Sequence, residues 1–201
     1  MHPKEAKKEK SGTGRLSHLC LKNSQIIVGE SFDKSPQVKA LLEDSNYFHM
    51  ILYPGNDAFD ISNTCKNLSN SKPLLLFVID GTWACAKSMM RRSPILHGLP
   101  RLSFTPKGTS KFLIKQQPST MCFSTIESLY FILEGLKQRN LENLNQEHQI
   151  LPDLLARLVK FQMKCASDPT LPGYRKKSYK GPQERIISKK WATRKAYFQG
   201  T

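Results

Sequence analysis

No run of about 18 consecutive apolar residues occurs in this 201-residue chain, so no segment has the length of a membrane-spanning helix. The first fifteen residues, MHPKEAKKEKSGTGR, are basic but lack an apolar core segment, so they do not read as a secretory signal. Paired cysteines are missing too. Cys20, Cys65, Cys85, Cys122 and Cys165 are scattered without C-x-x-C spacing, which leaves no visible zinc site or disulfide framework and fits a reducing cytoplasm. No internal repeat is apparent. Acids are scarce: 16 Asp and Glu stand against 31 Lys and Arg, a formal net charge of +15. That excess favours an anionic partner, either nucleic acid or an anionic membrane surface.

The positive charge is unevenly placed. Residues 171–201 hold nine Lys and Arg and one acid, Glu184. Tyr174, Tyr179, Trp191, Tyr197 and Phe198 interleave with those bases. Bases that pair with phosphates, beside rings that stack on nucleobases, suit single-stranded RNA. The plain alternative is a solvated basic tail. The composition divides the chain into a domain at 1–166 and a basic, aromatic-containing tail at 167–201.

What is present in the first part is an alternation of strand and helix signals. Residues 24–32, SQIIVGESF, read as a short strand. SPQVKALLEDS reads as a helix with Val38, Leu41 and Leu42 on one face. FHMILYPG is a second strand, ended by Tyr-Pro-Gly. LLLFVID, apolar on both faces, reads as a central parallel strand, and ACAKSMMRRS is the helix after it. RLSFT reads as a fourth strand and SKFLIKQQPST carries a fifth. Ser124 and Glu127 have capping-box spacing ahead of a long helix. A last amphipathic helix places Leu151, Leu154, Leu155, Leu158, Phe161 and Gln162 on one side. The expected fold is α/β, a mainly parallel sheet flanked by helices. The His2-Pro3 turn has no element before it, so either the start is short or the sheet has one strand fewer than usual.

Several element ends carry polar or turn-forming residues. They are Tyr53-Pro54-Gly55, Asp80-Gly81-Thr82-Trp83, Lys115-x-Gln117-Pro118 and Ser124-Thr125-Ile126-Glu127. In a parallel sheet the strand ends gather on one edge, where open α/β sheets bind ligands. Gly55 and Gly81 allow tight turns and close backbone approach. Gln117 can donate or accept. Ser124 and Thr125 stand at a helix N-terminus, a natural place for a carboxylate or phosphate. Each feature also has a plain reading. Tyr-Pro-Gly can be only a turn, Ser124 and Glu127 only a cap, Asp80 only the cap of the next helix, and Trp83 only core. His2 and His18 have no companion ligands and read as surface or core polar residues.

In their order these motifs resemble the DTW-domain family, the tRNA-uridine aminocarboxypropyltransferases, named for an Asp-x-Thr-Trp motif. The resemblance rests on HPKE and GTGR near the start, YPG at 53–55, DGTW at 80–83, SKFLIKQQP at 110–118 and STIE at 124–127. It extends to PGYRKKSYKGPQER in the tail. It implies a SPOUT-like fold with a knotted C-terminal half. It also implies a reaction: the 3-amino-3-carboxypropyl group of S-adenosylmethionine moves to N3 of a uridine in tRNA, and methylthioadenosine leaves. On this reading Asp80 is catalytic, as the acid at the centre of the motifs that takes the N3 proton. Tyr53, Pro54, Gly55, Lys115, Gln117, Pro118, Ser124, Thr125 and Glu127 bind S-adenosylmethionine. Arg15, Arg175, Lys176, Lys177, Lys180 and Arg185 contact tRNA, and no metal is implied by this chain. Two departures stand out. Phe112 and Lys115 replace a common Tyr and Arg, and Lys keeps the charge without the bidentate fork. A cysteine cluster common ahead of the His-Pro motif is absent from this sequence. A SPOUT-type RNA methyltransferase and a non-catalytic RNA-binding protein are the competing expectations.

Overall fold

The computed structural model describes residues 1–63, 68, 72–115 and 122–171. Among these residues four strands form one sheet: β1 (Phe48–Leu52), β2 (Phe59–Asp60), β3 (Leu74–Val78) and β4 (Arg101–Ser103). Their order is β2-β4-β1-β3, and every pairing is parallel. Leu52 stands opposite Val78 on one side and Leu102 on the other, so β1 and β3 end level.

Among the described residues six α-helices surround the sheet: α1 (Pro3–Lys8), α2 (Thr13–Cys20), α3 (Pro36–Glu43), α4 (Trp83–Arg91), α5 (Thr125–Gln138) and α6 (Ile150–Ser167). Several starts are set by local chemistry. Ser35 accepts the Val38 N–H at 3.3 Å and Pro36 follows it. Thr82 accepts the Cys85 N–H at 3.3 Å. His2 caps α1, its Nδ1 accepting the Lys4 N–H at 3.1 Å with Pro3 next in line. Such caps satisfy N–H groups that the helix itself leaves unpaired. The α5–α6 connection bends through Asn140, Asn145 and Gln146, all at positive φ. Asparagine tolerates that left-handed region better than most residues.

Both faces of a parallel sheet need cover, and strand alternation divides the cover here. On one face Ile51 meets Phe32, Val38 of α3, Met89 and Met90 of α4, and Leu96. On the other, Met50, Ile61 and Leu102 meet Ile132 and Leu136 of α5. α5 is apolar on a second side as well, where Ile126 packs on Leu151, Leu155 and Val159 of α6, with Leu16 of α2 partly buried beside them. α5 therefore lies between the sheet and an outer pair of helices. Gly135 makes the inner contact possible: a Cβ there would fall 2.6 Å from Ile61 Cγ1.

The structure corrects several expectations. Residues 24–32 form no assigned strand. Their backbone pairs with Met1, through Met1 N to Ile27 O at 2.8 Å and Gly29 N to Met1 O at 3.2 Å, while Phe32 reaches the core from a loop. Segment 110–115 is a turn, because its N–H groups bond to Glu127, Ser110 and Phe112 and not to a neighbouring strand. β3 stands at the edge of the four strands. Its apolar run reports cover on both faces, which is independent of its place in the ladder. On α6 the buried positions are Leu151, Leu155, Val159 and Ala166, so Phe161, expected on the inner side, is 64% exposed. β2, two residues long, is too short to carry a period and was not expected. Neither were α1 and α2.

Candidate active site

Parallel pairing puts every strand's carboxyl end on one edge of the sheet. Asp80 follows β3 there, with the parity of Leu74 and Leu76, which pack on the α5 side. Four of the sequence motifs meet at this residue. The His2 N–H donates to the Asp80 carbonyl at 2.9 Å. The Thr125 hydroxyl, on the first residue of α5, donates to Asp80 Oδ1 at 2.7 Å. Gly14 lies against the carboxylate so closely that a Cβ would stand 2.4 Å from Asp80 Cγ. A side chain at position 14 would displace the acid, so the glycine is a steric requirement. Asp80 Oδ2 accepts no hydrogen bond among the described residues. Asp80 does not cap α4, since Thr82 does. Trp83 is half-buried, and Gly81 packs beside His2 and Cys85.

Two residues further along α5 the arrangement is structural. Glu127 is buried at 8% exposure. Its carboxylate accepts the Ser124 N–H and hydroxyl at 2.9 and 2.5 Å, the Lys111 N–H at 2.6 Å, and the Ser110 hydroxyl at 2.9 Å. Glu127 thus completes the capping box that the sequence indicated and also holds segment 110–111 against the start of α5. Lys115 is exposed at the end of that segment.

A second group sits on the other face of the sheet. Tyr53 packs toward the α3–α4 core. The Arg101 guanidinium lies 5.7 Å from its ring centroid and 3.5 Å from Asp57 Oδ1. Gly55 gives Arg101 room, since a Cβ would meet its Nη1 at 2.4 Å. Burial pushes the Tyr53 hydroxyl above the usual tyrosine range, with Arg101 opposing that shift. Nearby loops at the same edge are fastened by Asp60, which accepts the Ser62 N–H at 2.8 Å and the Thr105 hydroxyl at 2.5 Å. Burial raises the Asp60 pKa, but the hydrogen bonds from Thr105 and Ser62 outweigh it and hold the group below the ordinary carboxylate value.

The structure therefore brings Asp80, Gly81 and Thr125 together, and sets Tyr53, Pro54 and Gly55 around Arg101. Arg15, beside Gly14 on α2, donates from Nη2 to the Ala6 carbonyl at 2.7 Å, and its Nε is buried without a partner among the described residues. Gln117, Pro118, Arg175, Lys176, Lys177, Lys180 and Arg185 lie outside the described residues. Sequence reasoning missed Gly14 as a contact of the acid, and it missed Ser110 and Arg101. GTGR pointed to the right segment, but the approach of Gly14 to Asp80 spans 66 residues and has no local signature. His2 is buried and caps α1, and His18 hydrogen-bonds Ser24 at 2.8 Å. Among the described residues no group of three His, Cys, Asp or Glu is placed to hold a metal ion, and no helix is long and apolar enough to cross a membrane.

In open parallel α/β domains ligands bind outside the carboxyl edge of the sheet, the edge where this carboxylate stands between a glycine and a helix start. Residues 1–163 match the DTW domain, and the chain belongs to the DTW-domain family. It is similar to tRNA-uridine aminocarboxypropyltransferase 2 of Drosophila melanogaster, 33% identical over 90 residues, covering 45% of this chain and 35% of that protein. It is also similar to the Macaca fascicularis protein of that name, 27% identical over 143 residues, 69% of this chain and 47% of the relative. The Mus musculus protein is 26% identical over 115 residues, 57% and 38% respectively. The chain spans less than half the length of these curated relatives. No solved structure matches it.

Proposed function

We propose that this chain is a cytoplasmic tRNA-modifying transferase that moves the 3-amino-3-carboxypropyl group of S-adenosylmethionine to N3 of a uridine. The observation that carries the reading is the Asp80 carboxylate, fixed by Gly14 and Thr125 at the carboxyl edge of the sheet. Its support from relatives is that three proteins similar to it carry the name tRNA-uridine aminocarboxypropyltransferase 2. The donor's chemistry fits the edge. The carboxylate end of that ligand needs cations and helix N–H groups, and Lys115, Arg101 and the start of α5 offer these. A SPOUT-like knotted C-terminal half is part of the same reading and rests on the family resemblance.

Uridine N3 carries a proton on the Watson–Crick edge, so the target base must be unpaired to react. Asp80 receives that proton as N3 forms its new bond to carbon. When bound, S-adenosylmethionine would supply an activated carbon attached to a positively charged sulfur, with methylthioadenosine as the leaving group. Thr125 fixes the orientation of Asp80 by holding Oδ1, which aims the other oxygen. Gly14 excludes bulk from beside the acid, and holding both reactants in line contributes much of the rate.

Nucleoside mass spectrometry of tRNA incubated with the protein and S-adenosylmethionine tests this directly. Uridine should gain the aminocarboxypropyl mass. A methyl gain would favour a SPOUT-type methyltransferase, and no gain a non-catalytic RNA-binding protein. Residues 167–201, in this reading, form a tRNA-docking tail behind a catalytic domain at 1–166. Removing residues 173–201 should weaken tRNA binding, with a smaller salt dependence, and leave calorimetric binding of S-adenosylmethionine intact. Unchanged tRNA affinity would make the tail a solvated extension.

A further inference from the structure

We propose that Lys107 and Lys111 form a phosphate clamp, distinct from the C-terminal tail, that grips the RNA strand carrying the target base. The inference rests on the tRNA reading above. From Gly81 to Ile126 the sequence contains no Asp or Glu, yet it holds Lys87, Arg91, Arg92, Arg101, Lys107, Lys111 and Lys115. Two of these bases have acidic partners from elsewhere: Arg92 pairs with Glu30 at 2.6 Å and Arg101 with Asp57 at 3.5 Å. Lys107, Lys111 and Lys115 are exposed and form no ion pair among the described residues. All three stand on the segment that leaves the carboxyl end of β4, the edge where Asp80 lies.

The segment is anchored, which separates it from an ordinary charged loop. Glu127 holds Ser110 and the Lys111 N–H, while Phe112 and Ile114 pack among Ile126, Leu129 and Leu155. Exposure alternates along it, with Lys111 and Lys115 outward and Phe112 and Ile114 inward. A phosphate therefore meets Lys111 on a backbone that is already ordered, which lowers the entropic cost of binding, with Lys107 four residues before it on the same segment. Glu127 and Thr125 lie on the same first turn of α5. The element that fixes the lysine segment is thus the one that orients Asp80. A strand held by Lys107 and Lys111 is brought beside the acid, as transfer to an unpaired uridine requires. Lys115 is assigned to the carboxylate of the donor and is left unaltered in the test.

The test compares Lys107→Gln/Lys111→Gln with the unaltered full chain, measuring tRNA affinity by filter binding between about 50 and 200 mM salt. Each phosphate contact on a single strand contributes about 0.7 to the slope of log affinity against log salt. The double variant should lose about 1.4 of that slope and bind tRNA about tenfold more weakly near 0.15 M salt. Its melting temperature and its calorimetric affinity for S-adenosylmethionine should match those of the unaltered chain. Lys107→Arg/Lys111→Arg should restore the slope. An unchanged slope in the Gln variant, while the unaltered chain binds and modifies tRNA, would overturn the clamp alone. Absence of tRNA binding by the unaltered chain would overturn the proposed function and the clamp with it.

Discussion

Asp80→Asn should reduce single-turnover transfer to tRNA by about 10²–10⁴-fold, the usual contribution of a general base. The substitution preserves shape. Asparagine fills the space beside Gly14, and its carbonyl oxygen can still accept the Thr125 hydroxyl that Asp80 Oδ1 accepts at 2.7 Å. What it removes is the ability to take the N3 proton. Urea denaturation and S-adenosylmethionine binding should be nearly those of the unaltered protein. The simplest structural explanation of Asp80, that it caps α4, is already excluded by the Thr82 cap. Near-normal turnover by Asp80→Asn would therefore place the base on another residue and leave Asp80 with only the task of holding the start of α5.

Glu127→Gln should act on stability. Donors converge on both carboxylate oxygens, and two of them are backbone N–H groups, those of Lys111 and Ser124. Serine hydroxyls can turn and accept a hydrogen bond instead, but a backbone N–H cannot. An amide presents only one oxygen, so at least one buried N–H loses its partner, at a cost of about 1–3 kcal/mol. Glu127→Ala should cost more, because both N–H groups lose their partner and a void opens. A fall in the urea midpoint at unchanged slope would measure the loss. tRNA affinity should fall as well, since the lysine segment is released from α5. A Gln variant as stable as the unaltered chain would show that water or the serines replace the carboxylate.

The sequence was sufficient for features whose cause is local. Ser35-Pro36, Thr82 and Ser124-x-x-Glu127 mark helix starts because a cap acts within one turn. The strand FHMIL and the core of LLLFVID are legible from their apolar runs. The order of motifs identified the family, and the strand and helix signals indicated a mainly parallel sheet, whose pairings the structure shows to be all parallel among the described strands. The tertiary structure alone decided which of these signals belong together. SQIIVGESF has strand composition, but its backbone partner is Met1, far away in the chain. SKFLIK turns because a buried glutamate on α5 takes the Lys111 N–H and the Ser110 hydroxyl, and the next N–H groups bond within the segment. Phe161 continues an amphipathic pattern but falls outside the contact with α5, which is narrower than the apolar face. Gly14 and Thr125 enclose Asp80 across 66 and 45 residues. Sequence spacing encodes what a helix or turn does within a few residues. Contacts between segments this distant depend on how the helices pack against the sheet, and no local pattern records that.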